Sequence, residues 1–136
     1  MKPIMALDYG SKRIGVAISD ELHLLAHPLE TIKNDEFAIE NILRLIKERN
    51  VGKIIIGFPK WDKVTPIGEE ILQFSEKLKM YTDVEIEFVN EFYSSKIAVE
   101  KLVSTGKKFK KYKRKLDVYA ACIILQDYLD MCKSEL

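Results

Sequence analysis

A chain of 136 residues, 47% of them hydrophobic, amounts to one domain that can close a core without disulfide or metal staples. No apolar run approaches the length of a membrane span, and Cys122 and Cys132, ten residues apart on one expected helix, face different directions and cannot pair. The net charge of +1 hides a segregation: residues 107–115 hold seven basic side chains and no acid, leaving 15 basic against 21 acidic residues elsewhere.

The chain starts directly on an apolar strand, so neither a signal peptide nor a transit segment is expected, and unpaired cysteines suit a cytoplasmic setting. The first stretch, residues 4–20, reads as a strand, a tight polar turn and a second strand. Asp8 lies near the end of the first apolar run, where a carboxylate loses hydration and needs a cation or hydrogen-bond donors. An ordinary hairpin whose Asp8 bonds the turn is the plain alternative. Gly10 is expected to supply unusual backbone angles to the turn, with Ser11, Lys12 and Arg13 completing it. Gly15 and Ala17 share one face of the second strand and leave room above the sheet.

Residues 26–32 form a third short strand, with Pro28 suiting a strand start or an edge. His23 and His27 have no acidic neighbours of catalytic type and read as surface or core-edge residues. Asn34, Asp35 and Glu36 have the chemistry of a helix start, and Ala38, Ile42, Leu45 and Ile46 continue at helical spacing to Asn50. Residues 53–58 are apolar on both faces, as in a central covered strand, and end in a Gly57-Phe58-Pro59 turn. Thr65 followed by Pro66 reads as a cap and a first-turn proline for a helix ending near Met80. Residues 84–89 alternate as a half-buried strand. Ser94 and Ser95 can cap a short helix to about Ser104, and a last helix is expected from about Arg114 to Met131. On it Asp117 begins a stripe continued by Ala121, Ile124 and Tyr128. The order predicts an α/β fold: a mixed five-stranded sheet, made of a three-strand antiparallel meander followed by βα units, with helices on both faces.

Asp8, Glu91 and Asp117 all stand in awkward places for an acid. If they converge, their mutual repulsion is relieved by a divalent cation, and carboxylate oxygens without histidine or thiolate favour magnesium or manganese. Metals held this way suit phosphoryl chemistry. Each acid taken singly is better read as structural; the three together in one short domain with a basic segment favour the site. The basic segment, Lys107, Lys108, Phe109, Lys110, Lys111, Tyr112, Lys113, Arg114 and Lys115, is expected to be the weakly ordered part of the free protein. Its cations can meet phosphates while Phe109 and Tyr112 stack on bases; a solvated loop is the alternative.

The run LDYGSKRIGVAISD followed by residues 26–32 resembles the opening of the YqgF family of Holliday junction resolvases. The similarity continues through Gly57-Phe58-Pro59, Glu91 with Ser94-Ser95, and residues 115–125, in order over almost the whole chain. The resemblance implies a single ribonuclease-H-like nuclease domain over residues 1–136, metal-dependent cleavage of structured nucleic acid, and a link to maturation of the 5′ end of pre-16S ribosomal RNA. It places Asp8, Glu91 and Asp117 as the catalytic and metal-binding acids, and Lys12, Arg13 and residues 107–115 against pre-rRNA or branched DNA. The chain departs from the family where Asn90-Glu91-Phe92 replaces Asp-Glu-Arg, and where Lys60-Trp61-Asp62-Lys63 replaces an Asn and an Asp-Gly turn. Both departures fall where substrate or metal contacts are expected. By parity Asn90 goes with Val84, Ile86 and Phe88 and Glu91 with Glu85 and Glu87, so the face carrying the site decides how much the missing acid at Asn90 matters. Two other readings stand beside the nuclease: a catalytically weak nucleic-acid-binding or ribosome-assembly protein, and a sugar-kinase-like or actin-like phosphate-binding domain. The sequence sets no oligomeric state.

Overall fold

In a computed structural model of the chain, residues 1–58, 66–90 and 109–134 are described. Pro59 of the expected turn, Lys60 to Lys63, Thr65 and the segment from Glu91 to Lys108, which holds the short helix expected after Ser95, lie outside the described residues. The elements are β1 (Ile4–Tyr9), β2 (Arg13–Ser19), β3 (Ala26–Lys33), α1 (Ala38–Arg49), β4 (Lys53–Phe58), α2 (Pro66–Lys79), β5 (Glu85–Asn90) and α3 (Phe109–Ser134). The sheet order is β3-β2-β1-β4-β5, so β1 is central. β1 pairs antiparallel with β2, and β2 with β3, whereas β4 runs parallel to both β1 and β5. This is the expected meander followed by βα units.

Alternation along the strands sorts the side chains into two layers. Met5, Leu7, Ile14, Val16, Ile54 and Ile56 point to one face and pack against Ile39, Ile42 and Leu45 of α1 and Ile71, Phe74 and Leu78 of α2. Ile4, Ala6, Ala17 and Ile55 point to the other and pack against Ala121, Ile124, Leu125 and Leu129 of α3. The stripe expected on the last helix is therefore the one that seats it on the sheet.

Several local expectations shift. Asp35 does act at a helix start, its Oδ1 accepting from the Phe37 N–H at 2.8 Å, but α1 begins at Ala38. Pro28 sits on the edge strand β3, where the register with β2 slips between Val16 and Ala17 and Leu29 is left over as a bulge. The last helix starts at Phe109, not Arg114. Most of the basic segment expected to be weakly ordered is thus the first two turns of α3, because nothing between Phe109 and Asp117 breaks a helix and lysine, arginine and leucine favour one. Lys107 and Lys108 lie outside the described residues. Both cysteines are free, as expected.

Candidate active site

Asp8 is the penultimate residue of β1 and is buried, at 4% exposed. It shares parity with Ile4 and Ala6, which places its carboxylate on the α3 face. Directly opposite it on β2 is Gly15. A Cβ built on Gly15 would lie 2.0 Å from the backbone oxygen of Asp117 and 3.0 Å from the nitrogen of Val118. The main chain of α3 at Asp117 therefore rests on the hole left by Gly15, and Asp8 flanks the same hole from the next strand. One residue past the Leu7–Ile56 pair of the parallel β1–β4 ladder stand Asp8 and Gly57, so Asp8 has glycines beside it on both neighbouring strands. These small neighbours leave no side chain beside the buried carboxylate on β2 or β4.

Asp117 lies eight residues into α3, about 12 Å along the helix axis. The sequence places it near a helix start; the earlier start of α3 puts it in the interior instead, so it is not an N-cap. Its Oδ2 accepts from Nε of Arg13 at 2.9 Å, with both side chains about a quarter exposed. Arg13 shares parity with Gly15, and this ion pair fixes the Asp117 carboxylate over β2, on the face to which Asp8 also belongs. Both acids lie on one face of the sheet. Lys12 is exposed in the turn between β1 and β2.

The hairpin turn closes differently from the expectation. Among the described residues no glycine has a positive φ. Gly10 is needed for close approach instead: its N–H donates to the Arg13 carbonyl at 2.9 Å, and a Cβ would lie 2.7 Å from that same oxygen. Asn34 then ties the end of β3 to the turn, donating from Nδ2 to the Gly10 carbonyl at 2.8 Å and from its backbone N–H to Lys12 at 2.9 Å.

On β5, Ile86 packs with the α1–α2 layer and the Phe88 ring stacks edge-on against Phe58, whereas Glu87 bonds to Tyr128 of α3 and Val89 joins the α3 layer. By alternation Asn90, the last residue of β5, shares parity with Ile86 and Phe88, yet it also lines a cavity against Ala120, Ile124 and Asp127 of α3. Glu91 and Phe92 lie outside the described residues. Among those described, no group of three or more His, Cys, Asp or Glu side chains could hold a metal, and Asp8 and Asp117 are the two acids of the expected set that can be placed. Side chains of residues 109–116 are likewise outside what is described.

Sequence reasoning missed a polar cluster on the same face. The Lys53 ammonium lies 2.7 Å from Oε2 of Glu87 and donates to the Tyr128 hydroxyl at 2.7 Å, and that hydroxyl donates to Glu87 at 2.9 Å. Burial disfavours the charge on Lys53, but the bonds to Glu87 and Tyr128 outweigh it and raise its pKa. The bond from Lys53 lowers the Glu87 pKa against the opposing effect of burial. A lysine opening an otherwise apolar strand was the available clue.

A five-stranded sheet of this order, with an acid at the end of its central strand and a second acid on the helix packed across it, defines the ribonuclease-H-like class. Two solved structures share the fold: a Fowlpox virus resolvase bound to Holliday junction DNA (TM-score 0.59, 15% identity, covering 96% of this chain and 98% of that one), and T. thermophilus RuvC in complex with a Holliday junction substrate (TM-score 0.58, 11% identity, 95% and 94%). Residues 2–131 match the family described as "RuvX: Holliday junction resolvase", and the chain belongs to that family. Its relatives include a protein of Sulfurihydrogenibium sp. (45% identical, covering 96% of this chain and 91% of the relative) and one of Clostridioides difficile (41%, 93% and 93%), each named "Putative pre-16S rRNA nuclease". Among the described residues no helix is long and apolar enough to cross a membrane.

Proposed function

We propose that the chain, acting as a single ribonuclease-H-like domain over residues 1–136, is a cytoplasmic, metal-dependent endonuclease on structured nucleic acid that processes the 5′ end of pre-16S ribosomal RNA. The observation that carries the reading is the placement of Asp8 and Asp117 on either side of Gly15, on one face of the sheet. Their hard carboxylate oxygens, with no thiolate or imidazole beside them in the family motif, fit Mg²⁺, or Mn²⁺ in its place. Glu91 is the third acid of that motif. When bound, such an ion polarises the phosphodiester and lowers the pKa of the attacking water. Asp8, buried on the central strand, holds its oxygens in a fixed position. Asp117 is aimed by Arg13, whose guanidinium carries further N–H donors of the kind that take a phosphate oxygen.

The assembly-factor reading leaned on Asn90 and Phe92. Asn90 ends β5 beside α3, and turnover itself decides between the two readings. The test is cleavage of a precursor 16S RNA fragment and of a four-way DNA junction by the purified chain, with Mg²⁺ and then with EDTA. Cut products that appear with Mg²⁺ and vanish with EDTA are expected. Tight binding of both substrates without cleavage in Mg²⁺ gives the assembly-factor reading instead.

A further inference from the structure

Beside the two acids, on the β3 side of Arg13, the sheet carries an open groove of about 550 Å³ walled by Ser11, Lys12, Arg13, Thr31, Lys33 and Asn34. Every residue lining it is polar or cationic and none is aromatic, so it offers hydrogen bonds and positive charge alongside the apolar stems of its lysine and arginine side chains. The register explains its composition. Arg13 faces Lys33 across the β2–β3 ladder and Gly15 faces Thr31. Paired residues project to the same side, so Lys33 and Thr31 rise on the face that holds Asp8 and Asp117. Asn34 locks the rim to the hairpin turn through its bonds to Gly10 and Lys12, so Lys12 and Lys33 are presented by one rigid corner. Neither lysine has an ion-pair partner among the described residues. Of the acids that touch its walls, Asp117 is taken by Arg13 and Glu70 accepts from the Ser11 hydroxyl at 3.0 Å.

We infer that this groove is a subsite for one backbone phosphate of the nucleic acid, neighbouring the phosphate attacked at Asp8 and Asp117, held by Lys12 and Lys33 with Arg13 between the two positions. The inference rests on the proposed nuclease function and adds a direction to it. With strands about 4.8 Å apart, β3 stands about 10 Å from β1, so the bound strand crosses the ends of β1, β2 and β3 in turn. Because the contact is to phosphate and not to a base edge, it sets register without reading sequence.

The test measures binding of a four-way DNA junction and of a precursor RNA hairpin in EDTA, which prevents cleavage, across a salt series. Lys33→Gln, at an exposed position, should leave the melting temperature unchanged. It should lower the slope of log affinity against log salt by about 0.9, so that affinity falls about threefold less than wild type between 50 and 200 mM salt. Replacing phosphates one at a time by neutral methylphosphonates should find one position where the loss of affinity is clearly smaller in Lys33→Gln than in wild type, the remainder being the Lys12 contact. An unchanged slope, or a Lys33 effect equal at every methylphosphonate position, overturns the subsite while leaving the nuclease reading intact. A wild type that binds neither probe overturns both.

Discussion

At the scale of single residues, the site depends on an absence at Gly15. Substituting alanine there puts a methyl 2.0 Å from a main-chain oxygen of α3, and backbone cannot yield as a side chain can. Gly15→Ala should cost upwards of about 2 kcal/mol, as overpacked cores do, and should depress cleavage further than stability alone explains, because α3 and Asp117 must lift off Asp8. Thermal melts and cleavage rates at a temperature where the variant remains folded check both parts; a variant as stable and active as wild type contradicts the packing described. Asp8 and Gly15 were legible in the sequence because a charge and a gap in apolar strands violate the pattern around them. The Arg13–Asp117 bond was not, since it joins residues 104 apart and only the seating of α3 brings them together.

At the scale of elements, α3 is anchored to β4 and β5 by the Lys53–Glu87–Tyr128 cluster. Tyr128→Phe removes the hydroxyl that links the two charges and should cost about 1 kcal/mol. The cluster also predicts a pH dependence. Glu87 has a folded pKa below its unfolded value of about 4.3, so its contribution is fully present above that value and is lost as pH falls through the folded pKa. Lys53 has a folded pKa above its unfolded value of about 10.4, so its contribution is present below that value and is lost as pH rises through the folded pKa. Glu87→Gln should therefore flatten the acid limb of the stability–pH curve while matching the wild type's shape at neutral pH; an unchanged acid limb contradicts the assignment. The helical start of α3 bears on the basic stretch as well. Replacing Lys110, Lys111, Lys113 and Lys115 by alanine keeps helix propensity but should flatten the salt dependence of nucleic-acid binding by up to about 0.9 per lost contact, seen in a salt titration. An identical slope makes the stretch solvated surface. Its helicity escaped the sequence reading because charge density reads as loop, whereas Phe109 to Asp117 contains no glycine or proline to stop a helix.

At the scale of the whole molecule, strand order and layering were readable because each strand carries its own alternation and the connections have the lengths that hairpins and βα units require. The convergence of the acids was only half readable: parity puts Asp8 on one face, but which face α3 covers follows from the packing of Ala121, Ile124, Leu125 and Leu129. The central claim is that Asp8 and Asp117 jointly serve a metal for phosphodiester cleavage, and the most direct measurement compares wild type, Asp8→Asn and Asp117→Asn in Mg²⁺-dependent cleavage alongside nucleic-acid affinity in EDTA. Both variants keep the shape and remove one charge. Asp117 is partly exposed and its pair with Arg13 is worth at most about 1 kcal/mol, so Asp117→Asn should fold normally. The account predicts that cleavage falls by orders of magnitude in each variant while affinity stays within a few fold of wild type; a wild type that cleaves beside an Asp117→Asn variant that cleaves equally well contradicts it.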